Sequence, residues 1–157
     1  MSVLFYRIDD RLIHGQVMTG WSKLYHANRI IVIDNATASN QFLCQVMKMS
    51  VPKGMDVKIL DEKAGLEAVL NDEADARTIV LTKTPGTMKK LLDGGAKMEE
   101  LNLGGMGYLP GRKLILRNIQ ISPEELKELQ EIEKKGVRVF CQIVHDGKCV
   151  ELSKVKL

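Results

Sequence analysis

Two arginines, two aspartates and one histidine lie close together near the start of the chain, as Arg7, Asp9, Asp10, Arg11 and His14. A neutral imidazole nitrogen is a nucleophile, and a guanidinium presents planar donors that suit phosphate oxygens. A histidine that accepts a phosphoryl group must be accessible to its donor and lie among groups that neutralise the transferred charge. The segment therefore predicts a phosphoryl site in which His14 is the acceptor.

The roles of the neighbouring charges stay open at this stage. Asp9 or Asp10 can orient the imidazole by accepting the hydrogen of its second ring nitrogen, as a carboxylate does for a catalytic histidine. Either aspartate can instead pair with Arg11 and hold it in place. Arg7 can contact the phosphate or brace the loop, and the sequence does not choose between these roles.

A strand and a helix must position this segment. Residues 3–6 form an apolar, β-rich run, and the apolar residues after the motif recur at helical spacing, as Val17, Met18, Trp21, Leu24 and Tyr25. Gly15 lies at the turn between the two elements and can adopt backbone angles that are closed to other residues. The free N–H groups at the start of the helix favour an anion beside His14.

Apolar β-rich runs and amphipathic stretches alternate along all 157 residues, which predicts βαβ units around a mainly parallel sheet in one domain, 1–157. The predicted strands are 3–8, 29–34, 55–60, 78–82, 100–103, 113–120 and 137–144. Two predicted helices are 38–49, with Phe42, Leu43, Val46 and Met47 turned to the sheet, and 62–70. Two more have explicit caps, from Thr84-Pro85 to Gly94 and from Ser122-Pro123 to Gly136.

The composition excludes several classes of protein. Hydrophobic residues are 45% and charged residues 27% of the chain, and the longest apolar run, 30–33, is too short to cross a bilayer. No secretion signal is recognised, so a cytoplasmic location is expected. A net charge of +3 with 4% aromatic residues does not point to nucleic acid. The cysteines, Cys44, Cys141 and Cys149, have no metal-site or disulfide spacing, and neither a metal nor another cofactor is expected.

Ligands of open α/β sheets bind outside the carboxyl ends of the strands. The loop after the first strand combines a nucleophile, arginines and a helix start, and no other predicted loop does so. The glycine-rich segment 104–107 also follows a strand and lacks the dinucleotide and P-loop fingerprints. Its glycines, Gly105 among them, still let the backbone approach a phosphate.

A receiver-like signalling module, phosphorylated on an aspartate, is an alternative of a different class. The acid pair after the first strand, Asp61 after the third and Lys83 after the fourth imitate its pattern. A receiver would use the acid pair to hold magnesium, whereas here the flanking arginines would compete with a metal.

The stretch from Arg7 to Val17, followed by Trp21, closely resembles the active-site segment of the IIB components of the mannose/fructose/sorbose family of the bacterial sugar phosphotransferase system. Residues 28–32, 101–106 and 133–137 match the same pattern in order and spacing, so the resemblance covers the full chain. It implies a doubly wound, mainly parallel seven-stranded sheet with helices on both faces and an antiparallel edge strand.

The resemblance also implies a mechanism. His14 would receive the phosphoryl group on Nδ1 from a phosphorylated IIA protein and pass it to a hexose taken up by the IIC and IID membrane components. Arg11 matches the motif arginine that neutralises the phosphoryl charge, and Asp9 and Asp10 match the motif acids. The residues expected around the phosphoryl group are Arg7, Ile13, Gly15, Gln16 and Gly105, with N–H donors from the backbone of 13–16.

The partners follow from the same resemblance. A separate IIA chain is expected, because no IIA-like segment precedes residue 1, with peripheral membrane association through IIC and IID. Some family members are homodimers, and the sequence decides neither the oligomeric state nor the sugar. The apolar candidates for docking around His14 are Leu12, Ile13, Met106 and Tyr108, with core packing as their alternative. Residues 113–118 depart from the family's usual polar stretch, which bears on sugar preference or partner contacts.

Overall fold

A seven-stranded sheet lies at the centre of the protein. The fold is described from a computed structural model that covers residues 3–157, apart from the side chains of Gln16 and Val17. The strands are β1 (Val3–Asp9), β2 (Arg29–Ile33), β3 (Asp56–Leu60), β4 (Thr78–Thr82), β5 (Glu100–Gly105), β6 (Lys113–Leu116), β7 (Ile119–Ile121), β8 (Arg138–Cys141) and β9 (Val150–Glu151). The order across the sheet is β3-β2-β4-β1-β5-β8-β9, and the edge strand β9 pairs antiparallel with β8 while the other pairings are parallel. The predicted fold class is confirmed.

Helices cover both faces of the sheet. The helices are α1 (Gly15–Leu24), α2 (Asn35–Ala38), α3 (Gln41–Met49), α4 (Glu62–Leu70), α5 (Pro85–Asp93) and α6 (Pro123–Lys134). Buried residues of α1 and α3 form one apolar cluster with the sheet, and those of α4, α5 and α6 form a second cluster. Among residues 3–157, no helix is both long and apolar enough to cross a bilayer.

The two helices with explicit sequence caps begin where they were predicted. The Thr84 hydroxyl accepts a hydrogen bond from the N–H of Thr87 at the start of α5. Ser122 and Glu125 form a complete capping box at the start of α6. Each cap satisfies donors that the first helical turn leaves unpaired, so these boundaries are fixed locally.

The predicted strand 113–120 is wrong as a member of the main sheet. This stretch turns at Arg117 and Asn118 and forms a separate antiparallel hairpin of β6 and β7, whose Ile119 makes an isolated bridge to Met106, the residue after β5. The seventh strand of the main sheet is instead β9. With two residues, β9 is too short to show an alternating pattern in the sequence.

The predicted helix 38–49 is also wrong in two respects. It is divided into α2 and α3 by Asn40, whose side chain accepts the N–H of Leu43 and caps α3. Of the side chains predicted to face the sheet, Met47 is buried, whereas Phe42, Leu43 and Val46 are exposed. The apolar residues do recur at helical spacing, but three of these four side chains lie on the exposed surface of α3.

Strand β1 carries the site because it lies inside the sheet, between β4 and β5. Its side chains alternate between the two faces. Tyr6 and Ile8 join the cluster under α4, α5 and α6, whereas Phe5 joins the cluster under α1. Arg7 and Asp9 therefore share the α1 face, and they lead to the carboxyl end of the strand.

Candidate functional site

The carboxylate of Asp9 is the centre of the site. It is fully buried at the end of β1. Its Oδ2 atom accepts a hydrogen bond from Nη2 of Arg7 at 3.0 Å and lies 2.9 Å from Nε2 of His14. Its Oδ1 atom accepts from the backbone N–H of Arg11 at 3.0 Å and from Nε of the same residue at 3.3 Å. One carboxylate thus holds the histidine and both arginines.

These contacts keep Asp9 ionised. Burial raises the pKa of its carboxyl, but the hydrogen bond with His14, the charge of Arg7 and the N–H of Arg11 outweigh burial and hold the pKa at about 2. An ionised carboxylate only accepts hydrogen bonds, so Nε2 of His14 carries the shared hydrogen. In the neutral ring, Nδ1 is then the nitrogen with a free lone pair.

A strained turn brings His14 back over Asp9. Leu12 has a φ of 56°, which is uncommon for a leucine, and its N–H donates to the backbone oxygen of Asp9 at 2.9 Å. Burial of the Leu12 side chain in the core stabilises the turn against this strain. His14 takes the N-cap position of α1 in an extended conformation, and its side chain is 21% exposed, enough for another molecule to reach the ring.

Arg7 lies behind Asp9, on its inner side. Its side chain is 1% exposed, and all the contacts of its two Nη atoms are internal. They are Asp9, Asn102 and the backbone oxygens of Gln142 and Ile143. Of the two roles left open by the sequence, this placement favours bracing over phosphate contact.

Arg11 occupies the opposite side of Asp9. Its side chain is 44% exposed, and its side-chain contact with Asp9 is made through Nε, so this contact does not engage the terminal donors of the guanidinium. An exposed guanidinium anchored at Nε can present its outer donors to an anion. The geometry thus separates the arginines into an inner brace and an outer cation.

The two aspartates also have different roles. The Oδ2 atom of Asp10 accepts the backbone N–H of Gly107 at 2.7 Å, while the N–H of Asp10 donates to the backbone oxygen of Gly105 at 3.0 Å. Asp10 therefore ties the histidine loop to the loop after β5. Asp9 is the aspartate that contacts the imidazole, whereas the carboxylate of Asp10 contacts the backbone of the loop after β5.

The residues expected around the phosphoryl group differ in how exposed they are. Gly15 is exposed next to His14, whereas Ile13 is buried in the cluster under α1. The side chain of Gln16 lies outside the described residues, although its backbone belongs to the first turn of α1. Gly105 is buried, and a Cβ atom there would lie 2.7 Å from Oδ1 of Asp9, so its close approach is to the aspartate.

The apolar docking surface predicted around His14 is wrong for three of its four residues. Leu12, Ile13 and Met106 are core residues, so the alternative of ordinary packing holds for them. Tyr108 is 72% exposed and follows Gly107, the residue that Asp10 holds. Leu109, next to it, is 52% exposed. The exposed apolar surface beside the site thus belongs to the loop after β5.

Asn102 is a site residue that reasoning from the sequence missed, and Gly104 makes room for a side chain where its glycine-rich segment was expected to approach a phosphate. Asn102 contacts Arg7, and Gly104 leaves room for the Arg7 guanidinium. The one available signal was a polar amide in the middle of an apolar strand, Leu101-Asn102-Leu103, because a buried amide needs partners. Within the described part of the chain, no group of three His, Cys, Asp or Glu side chains is arranged to hold a metal.

Comparisons with known proteins agree over nearly the whole chain. A family model described as PTS system sorbose subfamily IIB component matches residues 3–156. The sorbose-specific EIIB component of Klebsiella pneumoniae is 29% identical over 153 residues, which cover 97% of this chain and 93% of that protein. The mannose-specific EIIAB component of Escherichia coli is 28% identical over 134 residues, which cover 85% of this chain and 42% of that protein.

The fold agrees as well. The crystal structure of manxB from Thermoanaerobacter tengcongensis superposes with a TM-score of 0.91 at 35% identity, and the match covers 98% of this chain and 93% of that chain.

Proposed function

The chain belongs to the sorbose subfamily of IIB components of the sugar phosphotransferase system, which are phosphotransferases of sugar uptake, and from this premise we propose that it carries a phosphoryl group on His14. The group arrives on Nδ1 from a phosphorylated IIA protein. It leaves to a hexose that the IIC and IID membrane components take up. The protein works in the cytoplasm and reaches the membrane through those components.

One contact carries this proposal. The Oδ2 atom of Asp9 lies 2.9 Å from Nε2 of His14, and because the carboxylate is ionised it accepts the ring hydrogen. This fixes the ring and leaves the Nδ1 lone pair free for attack. The two aspartates left open by the sequence thereby receive different roles in the proposal, with Asp9 as the residue that orients the ring.

The transfer is an in-line displacement. The Nδ1 lone pair of His14 forms a bond to phosphorus while the bond from phosphorus to the donor's histidine nitrogen breaks, and that nitrogen keeps the electron pair. In the second step the sugar hydroxyl oxygen attacks the same phosphorus and releases its proton to water, while the N–P bond breaks and its electron pair returns to Nδ1. The chain contributes position and charge compensation to both steps.

The positive charge for the transferred group comes from the outer side of the site. Arg11 is anchored to Asp9 and exposed, so its terminal donors can reach a phosphoryl group on the ring. The free N–H groups of the first turn of α1 begin at the neighbouring Gly15 and favour an anion at the same place. Arg7 acts through Asp9 instead of touching the phosphoryl group.

Support for a IIA donor comes from one of the relatives. The Escherichia coli relative is named as a mannose-specific EIIAB component, and the present chain spans less than half of its length. A IIB unit joined to an A unit in one protein is consistent with direct transfer between the two. For this chain, we propose that a separate IIA protein supplies the phosphoryl group.

The test is transfer of labelled phosphate from phosphoenolpyruvate through the general phosphotransferase proteins and a purified IIA of the same family. We expect label on the wild-type chain that survives base and is lost in acid, as a histidine phosphate does, with a ³¹P spectrum that assigns it to Nδ1. The His14→Ala variant should take up none. His26→Ala is the matched control, because His26 is an exposed histidine beyond the far end of α1.

Two results would contradict the proposal. Label that persists in His14→Ala would place the phosphoryl group on another residue. Label that is released by hydroxylamine would be an acyl phosphate on an aspartate, as in a receiver-like module.

A further inference from the structure

Asn102 is a fully buried amide on the inner side of the site. It lies on β5 opposite Arg7 in the parallel register, so both side chains leave the sheet on the same face. Its Oδ1 atom accepts from Nη1 of Arg7 at 2.5 Å, and its Nδ2 atom donates to the backbone oxygen of Gln142 at 3.1 Å. Both the oxygen and the nitrogen of the amide are therefore hydrogen-bonded. Rotating the amide by half a turn would place its NH₂ group against an Arg7 donor and its oxygen against the backbone oxygen of Gln142.

The guanidinium of Arg7 is confined to one place. Asn102 and the backbone oxygens of Gln142 and Ile143 accept its hydrogens on one side, and Asp9 accepts on the other. The absence of a side chain at Gly104 provides the space that the guanidinium fills. A buried cation held in this way stays beside Asp9 and does not extend to the surface.

The neutrality of Asn102 matters because Arg7 is the only buried cation in contact with Asp9 among the described residues. Asn102 satisfies an Arg7 donor without bringing a negative charge. A carboxylate of the same shape would draw the guanidinium toward position 102 and weaken its hold on Asp9. Asp9 would then be held less firmly, and it is the carboxylate that orients the His14 ring.

We propose that Asn102 is a positioning residue of the phosphoryl transfer. It holds the Arg7 guanidinium against Asp9 without competing for its charge, and through Asp9 it keeps the His14 ring in the orientation that aims Nδ1 at the donor. This inference rests on the proposed function, since it assigns a role in the same reaction.

The test is the Asn102→Asp variant, which keeps the shape of the side chain. At one neutral pH, we expect kcat for transfer from phosphorylated IIA to fall about tenfold or more, with KM for that donor changed less than about twofold, because the change alters the acceptor and not the docking surface. The ¹⁵N chemical shifts of the His14 ring should differ from those of the wild type, because the hydrogen bond between Nε2 and Asp9 changes.

Three further variants separate positioning from stability. Asn102→Ser offers Arg7 a neutral acceptor and should keep kcat within about threefold of the wild type. Asn102→Leu removes the acceptor without adding charge and should lower kcat as well, so it carries the test if the aspartate variant does not fold. Leu101→Val is the matched control, because Leu101 is the neighbouring residue on β5 and packs on the other face of the sheet.

The outcomes are distinct. A wild-type kcat in Asn102→Asp overturns the inference. The inference is also overturned if kcat falls in step with thermal stability to the same extent in Asn102→Asp and Leu101→Val, while the ¹⁵N spectrum of the His14 ring is unchanged. If the wild-type chain itself takes no label on His14, the proposed function fails. If it does, and Asn102→Asp transfers normally, only the role of Asn102 fails.

Discussion

The guanidinium of Arg7 occupies the space in which a side chain at Gly104 would lie. Arg7 belongs to β1 and Gly104 to the neighbouring strand β5, so the missing Cβ lets a buried cation lie flat against the adjacent strand. From there it reaches Oδ2 of Asp9 at 3.0 Å. The inner half of the site thus depends on two strands, while the outer half depends on the loop that carries Arg11 and His14.

The Gly104→Ala variant tests this packing. A methyl group at this position overlaps the guanidinium and forces Arg7 away from Asp9, which leaves two buried charges poorly paired. We expect the free energy of unfolding to fall by about 3 to 5 kcal/mol and phosphoryl transfer to His14 to slow. Urea unfolding and the labelling assay measure the two effects. Gly86→Ala is the control, since a Cβ there comes no closer than 3.2 Å to the carboxylate end of the Glu128 side chain and 3.9 Å to the Thr84 hydroxyl.

The Asp9→Asn variant tests the charge at the centre of the site. The folded carboxyl has a pKa of about 2 against an ordinary value of 3.8, so its ionisation stabilises the fold fully above 3.8 and ceases to do so as the pH falls to about 2. The wild type should therefore lose about 2 kcal/mol of its advantage over Asp9→Asn across this interval. Urea unfolding of both proteins at neutral pH and near pH 2 measures it. A difference in the free energy of unfolding between the two proteins that is the same at both pH values would contradict the lowered pKa of Asp9.

Much of the fold was predictable because the sequence signals for its helices and strands lie within the elements themselves. Caps at Thr84 and Ser122 fix helix starts through hydrogen bonds within one turn, and continuous apolar runs such as β4 indicate a buried parallel strand. The hairpin of β6 and β7 was not predictable in this way. Its turn at Arg117 and Asn118 lacks glycine and proline, and a single asparagine is a weak signal for dividing one long strand into two short ones.

The same contrast between local signals and long-range contacts applies to the site. His14, Asp9 and Arg11 lie in one short segment, so their types and spacing were enough to predict that they form one site. Asn102 and Gln142 reach Arg7 from β5 and the end of β8, and only the strand order brings them together. The spacing of an apolar stripe also does not say which way the stripe faces, so helical spacing alone predicts a core position for the exposed residues of α3.

The Arg11→Ala variant separates transfer from folding. Because Arg11 is exposed and its contact with Asp9 is partly screened by water, we expect a change of no more than about 1 kcal/mol in the free energy of unfolding. Loss of its charge beside the phosphoryl group should lower kcat roughly 10- to 100-fold. Arg11→Lys keeps the charge but not the planar donors, so its kcat should lie between those of the wild type and Arg11→Ala. Unchanged kinetics in Arg11→Ala would remove Arg11 from the reaction.

The loop 107–112 is held at both ends beside the histidine. Asp10 accepts the N–H of Gly107 at 2.7 Å, and Nη1 of Arg112 donates to the oxygen of Gly107 at 2.7 Å. Arg112 is itself fixed by two hydrogen bonds to Glu125 in the first turn of α6, at 2.9 and 2.7 Å. Tyr108 is therefore an exposed aromatic side chain on an ordered loop, which is the kind of residue that anchors a protein partner.

We expect Tyr108→Ala to raise KM for phosphorylated IIA by about fivefold or more, because an aromatic anchor contributes about 1 kcal/mol or more to binding. The kcat should change little, since Tyr108 belongs to the loop after β5 and not to the segment that holds His14 and Asp9. Leu24→Ala is the matched control, an exposed apolar residue at the other end of α1. Steady-state transfer at varied donor concentration measures both constants. A KM in Tyr108→Ala equal to that of the control would show that the donor docks elsewhere, and a fall in kcat alone would show that Tyr108 acts on the histidine and not on the partner.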